Sequence, residues 1–146
     1  MMPVKIAQTQ KELEGILDLR YEILRKPWNQ SSETATDELE NSSINAFIVD
    51  ENGKIIACGR LQENENKVGQ IRFMAVANDQ QGKGLGKQLV AALEKKAIEL
   101  GLKSIELQAR ENALGFYKSC QYTIKEKSFL LWGQIQHYLM EKKLPI

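Results

Sequence analysis

Gln81-Gly82-Lys83-Gly84-Leu85-Gly86 lies between a strand-like run, Ile71-Arg72-Phe73-Met74-Ala75-Val76, and an amphipathic run that begins at Leu85. A glycine-rich turn that opens a helix leaves the first backbone N–H groups without intrahelical partners. The positive end of the helix dipole lies at the same place. Together they form an anion cradle, most often for phosphate. A Cβ in such a turn would hold phosphate oxygens away from the backbone. Lys83 and Lys87 add local positive charge.

Upstream of the loop the pattern reads as a meander. Ile44 to Asp50 is apolar and strand-like, and Asn52-Gly53 suggests a two-residue hairpin turn in which both positions tolerate φ > 0. Lys54 to Leu61 returns, polar residues 62–67 turn the chain, and Val68 to Val76 delivers it into the glycine loop. Before the meander, Val4 to Ala7 alternates like a short strand. Thr9 and Glu12 then form a capping box ahead of a helix with Leu13, Ile16, Leu17, Tyr21 and Leu24 at helical spacing, ended by Pro27. Residues 29–43 are polar and carry Glu33, Asp37, Glu38 and Glu40, as in a loop or a short surface helix.

After the loop, Leu85, Leu89, Leu93 and Ile98 mark the inward face of a helix, and Gly101 suits its αL cap. Ser104 to Ala109 is a strand, so residues 68–109 form a strand–helix–strand unit with parallel strands. A short helix over about 113–120 and strands near 122–127 and 134–142 follow. The expectation is an α+β domain in α/β/α layers. Its mixed, mostly antiparallel sheet has seven strands and one central parallel unit, in a single domain over residues 1–146.

The 146 residues are 42% hydrophobic and 27% charged, with a formal net charge of +1. That balance gives no global attraction to nucleic acid or acidic membranes. No apolar run approaches the ~20 residues of a membrane span, and Met1-Met2-Pro3-Val4-Lys5 lacks a signal-peptide core. Two cysteines, Cys58 and Cys120, and one histidine, His137, form no metal-like cluster. They read as free thiols in a reducing cytoplasm, with no metal.

The loop is not a P-loop, since Lys87 is followed by Gln88 and no glycine has the required spacing. It is one residue short of a dinucleotide fingerprint, and an antiparallel meander precedes it. It does match Q/R-x-x-G-x-G/A after a strand ending Met-Ala-Val. After the next strand stands Glu111-Asn112-Ala113-Leu114-Gly115-Phe116-Tyr117-Lys118. With both motifs in this order, essentially the whole chain resembles the GNAT acetyltransferase superfamily. Leu24-Arg25-Lys26-Pro27, Arg72 to Val76, Gln108 to Ala113, and His137 with Met140 and Lys142 suggest its ElaA-like branch.

The resemblance implies transfer of acetyl from acetyl-CoA directly to an amine of a small molecule or peptide. Gln81, Gly82, Lys83, Gly84, Leu85 and Gly86 would bind the CoA pyrophosphate, with Lys87 nearby. Met74, Ala75 and Val76 would flank the pantetheine arm, and one of the Met74 and Val76 N–H groups would face the thioester oxygen. Asn112 would bond the arm or cap the short helix, and Tyr117 would protonate the departing thiolate. The alternative for Tyr117 is a core tyrosine on an amphipathic helix. The general base stays open among Glu111, His137, Glu106 and Asp37. The acids at 33–40 would attract a cationic amine or simply be solvated, and Trp28 and Trp132 would floor an acceptor pocket or pack in the core. The family usually has glycine where this chain has Gln121, which would place a non-glycine residue in an αL turn. A homodimer accords with superfamily precedent. The rival function is a CoA-binding sensor or partner module without turnover.

Overall fold

Seven strands form one sheet in the order β1-β2-β3-β4-β5-β7-β6, in a computed structural model that describes residues 3–145. The strands are β1 (Lys5–Ile6), β2 (Ile44–Val49), β3 (Ile55–Glu63), β4 (Val68–Val76), β5 (Ser104–Arg110), β6 (Thr123–Leu131) and β7 (Ile135–Lys143). Only β4 and β5 run parallel; every other pair is antiparallel. Met1, Met2 and Ile146, at the ends of the expected 1–146 domain, lie outside the described residues. Among the described residues no helix is long and apolar enough to cross a membrane.

Three α-helices pack on this sheet: α1 (Gln10–Arg20) on β3 and β4, α2 (Leu85–Glu99) on β2, β3 and β4, and α3 (Leu114–Ser119) against β5. The capping box at the start of α1 is present in both directions, with Glu12 N–H donating to Thr9 Oγ1 at 3.1 Å and Thr9 N–H to Glu12 Oε1 at 3.0 Å. Pro27 does not end this helix alone. The backbone loosens into a π turn over Tyr21–Arg25 and tightens again at Lys26–Trp28. A π turn adds a residue to the helical circuit and re-aims the side chains that follow. Here it directs Leu24 and Arg25 to the sheet's open cleft.

Three local expectations need correction. The β2–β3 hairpin is not a two-residue turn: Gly53 N–H donates to Asp50 O, Asp50 N–H donates to Lys54 O, and only Gly53 has positive φ. Asp50 drives this by accepting from the Asn52 and Lys54 N–H groups at 2.9 and 3.0 Å. On α2 the buried face is Leu85, Leu89, Val90, Leu93 and Ala97, and Ile98 is exposed. Residues 29–43 are neither a plain solvated loop nor a surface helix. Short 3₁₀ turns fold Ala35 and Glu40 inward.

β4 is interrupted by Phe73, whose φ of +55° is unusual for a bulky residue. The β3–β4 register slips there, with Cys58 opposite Ala75 but Arg60 opposite Arg72. Gly59 sits inside the slip, and a Cβ on it would run into the Met74 thioether. Parallel pairing of β4 with β5 extends only from Val68↔Ser104 to Ile71↔Leu107. Beyond Ile71 the two strands part.

A buried ion network surrounds the bulge. The fully buried Arg20 bonds Glu40 through both terminal nitrogens, and Asn45 Oδ1 at 2.6 Å. The fully buried Arg60 binds Asp37 through two bonds of 2.9 Å and reaches Glu40 at 3.3 Å. Arg72 bonds the same Asp37 at 2.9 Å. The guanidiniums of Arg20, Arg60 and Arg72 lie 4.4, 4.9 and 4.7 Å from the Phe73 ring centroid. Asp37 and Glu40 are therefore spent on arginines.

Burial alone would push the Glu40 carboxyl up. The Arg20 and Asn45 hydrogen bonds and the Arg20 charge outweigh it and hold the pKa at about 2, below the ordinary 4.5. A depressed carboxyl stabilises the fold above its unfolded pKa and loses that contribution as pH falls through the folded one. Glu40→Gln should flatten the stability loss expected between pH 4.5 and 2. It should also cost about 3–5 kcal/mol at neutral pH, because the buried Arg20 loses its counter-ion and Arg60 is left with Asp37 alone. Urea unfolding across that pH range reads both effects.

The Gln121 reading holds. Its φ is +74°, and it closes a Schellman motif at the end of α3. Gln121 N–H donates to Lys118 O and Tyr122 N–H to Tyr117 O, both at 3.0 Å, while the Tyr117 and Tyr122 rings meet at 6.0 Å. Gln121→Gly should raise stability by about 1 kcal/mol by removing the αL penalty, seen as a higher urea midpoint with unchanged slope.

Candidate active site

The parting of β4 from β5 opens a slot with two ends. At one end lies the glycine loop. Gly82 and Gly84 have φ of +80° and +82°, a conformation that excludes most side chains without strain. Gly86 has a different reason to be glycine, since a Cβ there would meet the Phe116 ring at 2.9 Å. Gly84 is the N-cap of α2, and the first intrahelical bond runs from Gln88 N–H to Gly84 O at 3.2 Å. The N–H groups of Leu85, Gly86 and Lys87 thus precede the helical ladder, and no acidic residue occupies the first turn.

Gln81 Nε2 donates to Val76 O at 3.2 Å and so ties the loop to the end of β4. Lys83 is exposed and donates to Gln80 Oε1 at 3.1 Å, outside the slot. Along β4, Ala77 N–H donates to Ile56 O of β3. By strand alternation the Met74 and Val76 N–H groups turn the other way, toward the slot.

Two clefts meet in the middle. The loop-side cleft is lined by Met74, Ala75, Val76, Gln81, Gly82, Gly84, Leu85, Gly86, Lys87, Asn112 and Tyr117. The other, of about 370 Å³, is lined by residues that include Arg25, Arg72, Phe129 and His137. Leu24, Met74, Arg110, Ala113 and Tyr117 line both. Tyr117 is 8% exposed, and burial raises its phenol pKa well above the ordinary value, with Cys120 adding to the effect. It is therefore a protonated donor at neutral pH.

His137 lies opposite Arg110 across the β5–β7 pair and lines the second cleft. Its Nδ1 is 3.0 Å from Ile135 O, an acceptor-only partner, so Nδ1 carries the proton and Nε2 keeps a lone pair. Phe129 stacks on the imidazole at 4.4 Å, brought there by the register slip in β6. Desolvation, with the Arg110 and Arg25 charges adding, lowers the pKa despite the Ile135 bond. Glu111 is not brought to either cleft: it is exposed and accepts from the Tyr138 hydroxyl at 3.0 Å. Glu106 faces Asn64 at 3.3 Å, and Asp37 is held by Arg60 and Arg72.

Trp28 lines the loop-side cleft, and Trp132 covers the Arg25 guanidinium at 5.3 Å, so neither is a core residue. Cys58 is fully buried, and burial pushes its thiol up to about 12; burial also raises Cys120. Neither thiol lines the slot. Arg25, Arg72 and Arg110 were not singled out in the sequence as site residues. The spacing of Arg25 before Pro27 and of Arg110 before Glu111 was visible, but nothing local shows that the two side chains converge.

The profile of the "Acetyltransferase (GNAT) family" matches residues 13–122. The "Uncharacterized N-acetyltransferase YjcF" of Bacillus subtilis is 32% identical over 142 residues, 97% of this chain and 99% of that protein. Among solved structures, a Bacillus subtilis acetyltransferase in complex with CoA has a TM-score of 0.78 at 22% identity, covering 99% of this chain and 100% of the other. Escherichia coli ElaA has a TM-score of 0.82 at 17% identity, covering 97% and 99%. These structural likenesses extend over the whole fold. On the profile match and the full-length relative, the chain belongs to the GNAT acetyltransferase family.

Proposed function

We propose that the protein transfers acetyl from acetyl-CoA to an amine, as a single domain acting in the cytoplasm without a metal. One observation carries this reading: the loop-side cleft and the second cleft meet at a buried, protonated tyrosine. The glycine loop would take the CoA pyrophosphate on the Leu85, Gly86 and Lys87 N–H groups. Met74, Ala75 and Val76 would flank the pantetheine arm, and Asn112 lies on the same cleft. The Met74 or Val76 N–H would donate to the thioester oxygen as negative charge grows on it.

The amine nitrogen then attacks the thioester carbon. The carbon–sulfur bond breaks, and the thiolate takes the Tyr117 proton. His137 Nε2 is the group best arranged to receive the proton lost by the amine, directly or through water. Its lowered pKa keeps it in the neutral form that a base requires. The unreactive positions of Cys58 and Cys120 agree with direct attack and no acyl-enzyme.

Tyr117→Phe should lower kcat about a hundredfold while CoA affinity stays the same, read by thiol release with a panel of amines and by calorimetry. Full activity in Tyr117→Phe would remove the tyrosine from the reaction. CoA binding with no thiol release for any amine would instead favour a binding module without turnover. Gly84→Asp should abolish CoA binding by setting a carboxylate against the pyrophosphate. Gly84→Ala carries similar backbone strain without the charge, so the difference between the two variants isolates the anion cradle.

A further inference from the structure

The second cleft is cationic, and its charge is not balanced from within. Arg25, Arg72 and Arg110 line it, and no aspartate or glutamate does. Arg72 is neutralised by Asp37 at 2.9 Å. Among the described residues no carboxylate lies within ion-pair distance of Arg25 or Arg110. These two guanidiniums also share one anchor. Arg25 Nη1 and Arg110 Nη2 each donate to the Leu24 carbonyl at 3.2 Å, so two like charges sit side by side.

Arg25 is further fixed by Nε donating to Thr34 O at 3.0 Å, and by the Phe73 and Trp132 rings at 5.6 and 5.3 Å. Desolvation and the charges of Arg110, Arg72 and Arg20 bring its pKa down to about 10, so it remains charged at neutral pH. A rigid, partly buried pair of guanidiniums offers planar forks of donors that match carboxylate or phosphate oxygens. The pyrophosphate cradle lies at the other end of the slot; Arg25 lines the second cleft alone and Arg110 stands where the two clefts meet, so the pair faces the acceptor side.

We propose that the acetyl acceptor is a small amine carrying an anionic group, a carboxylate or a phosphate, clamped by Arg25 and Arg110 beside Tyr117 and His137. This rests on the acetyl-transfer reading above. It runs against one of the two sequence-based options for the acids at 33–40, a cationic amine drawn by them, because Asp37 and Glu40 are engaged by arginines. Polyamines and other polycations would meet two uncompensated positive charges on entry.

The test uses matched amines in the full-length protein with acetyl-CoA. Glutamate is compared with its diamide, glucosamine 6-phosphate with glucosamine, and spermidine serves as the cationic reference. The anionic member of at least one pair should show a KM at least about tenfold lower, a ratio equivalent to 1.4 kcal/mol. Which pair responds separates carboxylate from phosphate. Arg25→Gln, which does not touch the loop-side cleft, should erase that preference while leaving the KM for acetyl-CoA unchanged. A loss confined to kcat would mean that the arginines act on the reacting centre and not as an acceptor clamp, and would overturn the proposal.

Preference for the neutral or cationic members would overturn it too, while the acetyl-transfer reading stood. Where no amine turns over, the N-acetylated form of each compound is titrated into the CoA complex by calorimetry. The same order of affinities supports the clamp, and equal affinities overturn it. Absence of turnover therefore counts against acetyl transfer alone.

Discussion

The slot exists because β4 cannot run straight past Phe73. A residue of this size at positive φ costs on the order of 1–3 kcal/mol, and the surrounding structure must hold it there. Gly59 opposite it provides room, since any larger residue would strike Met74. The ring of Phe73 is then enclosed by guanidiniums, whose charges suit the negative face of an aromatic ring. Those guanidiniums are in turn fixed by Glu40 and Asp37 from residues 29–43. A segment that looks like a solvated loop thus supports the kink that separates two central strands. The kink also frees the backbone N–H groups of Met74 and Val76, which a regular parallel pair would have consumed.

Local signals in the sequence match much of this. The glycine loop, the capping box of Thr9 and Glu12, the meander and the strand–helix–strand unit depend on neighbours a few residues apart. Their physics is short-range, and all four are present in the structure. The αL position of Gln121 was legible only through the resemblance, which puts a glycine there. The Phe73 bulge was not legible, since its cause is a glycine on another strand and arginines from three separate segments. The π turn was hidden by the nearby Pro27, which offers a simpler reason for a helix to stop. Glu111 looked close to the reaction because it stands just past the end of β5. It opens a 3₁₀ turn that carries its carboxylate outward to Tyr138.

The two ends of the slot would attract anions by different means. At the loop the donors are backbone N–H groups on a helix terminus, a fixed array of partial charges needing no side chain. At the other end the donors are whole charges on long side chains, held by Leu24, Thr34 and two aromatic rings. The first arrangement is spelled out in a six-residue motif. The second is assembled from the π turn after α1, the end of β5 and the β6–β7 turn, so no single motif spells it out.

On the proposed mechanism, His137 would connect this cationic cleft to the chemistry. Desolvation lowers its proton affinity, and the flanking Arg110 and Arg25 lower it further, so the free protein presents a neutral imidazole. An anion settling between the arginines would offset part of their charge and raise the affinity of Nε2 for a proton. The imidazole would then become a better base at the moment the acceptor is bound, and a weaker one when the cleft is empty. The repulsion stored between Arg25 and Arg110 works in the same direction, since only an anion relieves it. Acceptor recognition and base strength would thereby be coupled through two guanidiniums on one carbonyl oxygen, with no movement of the backbone required.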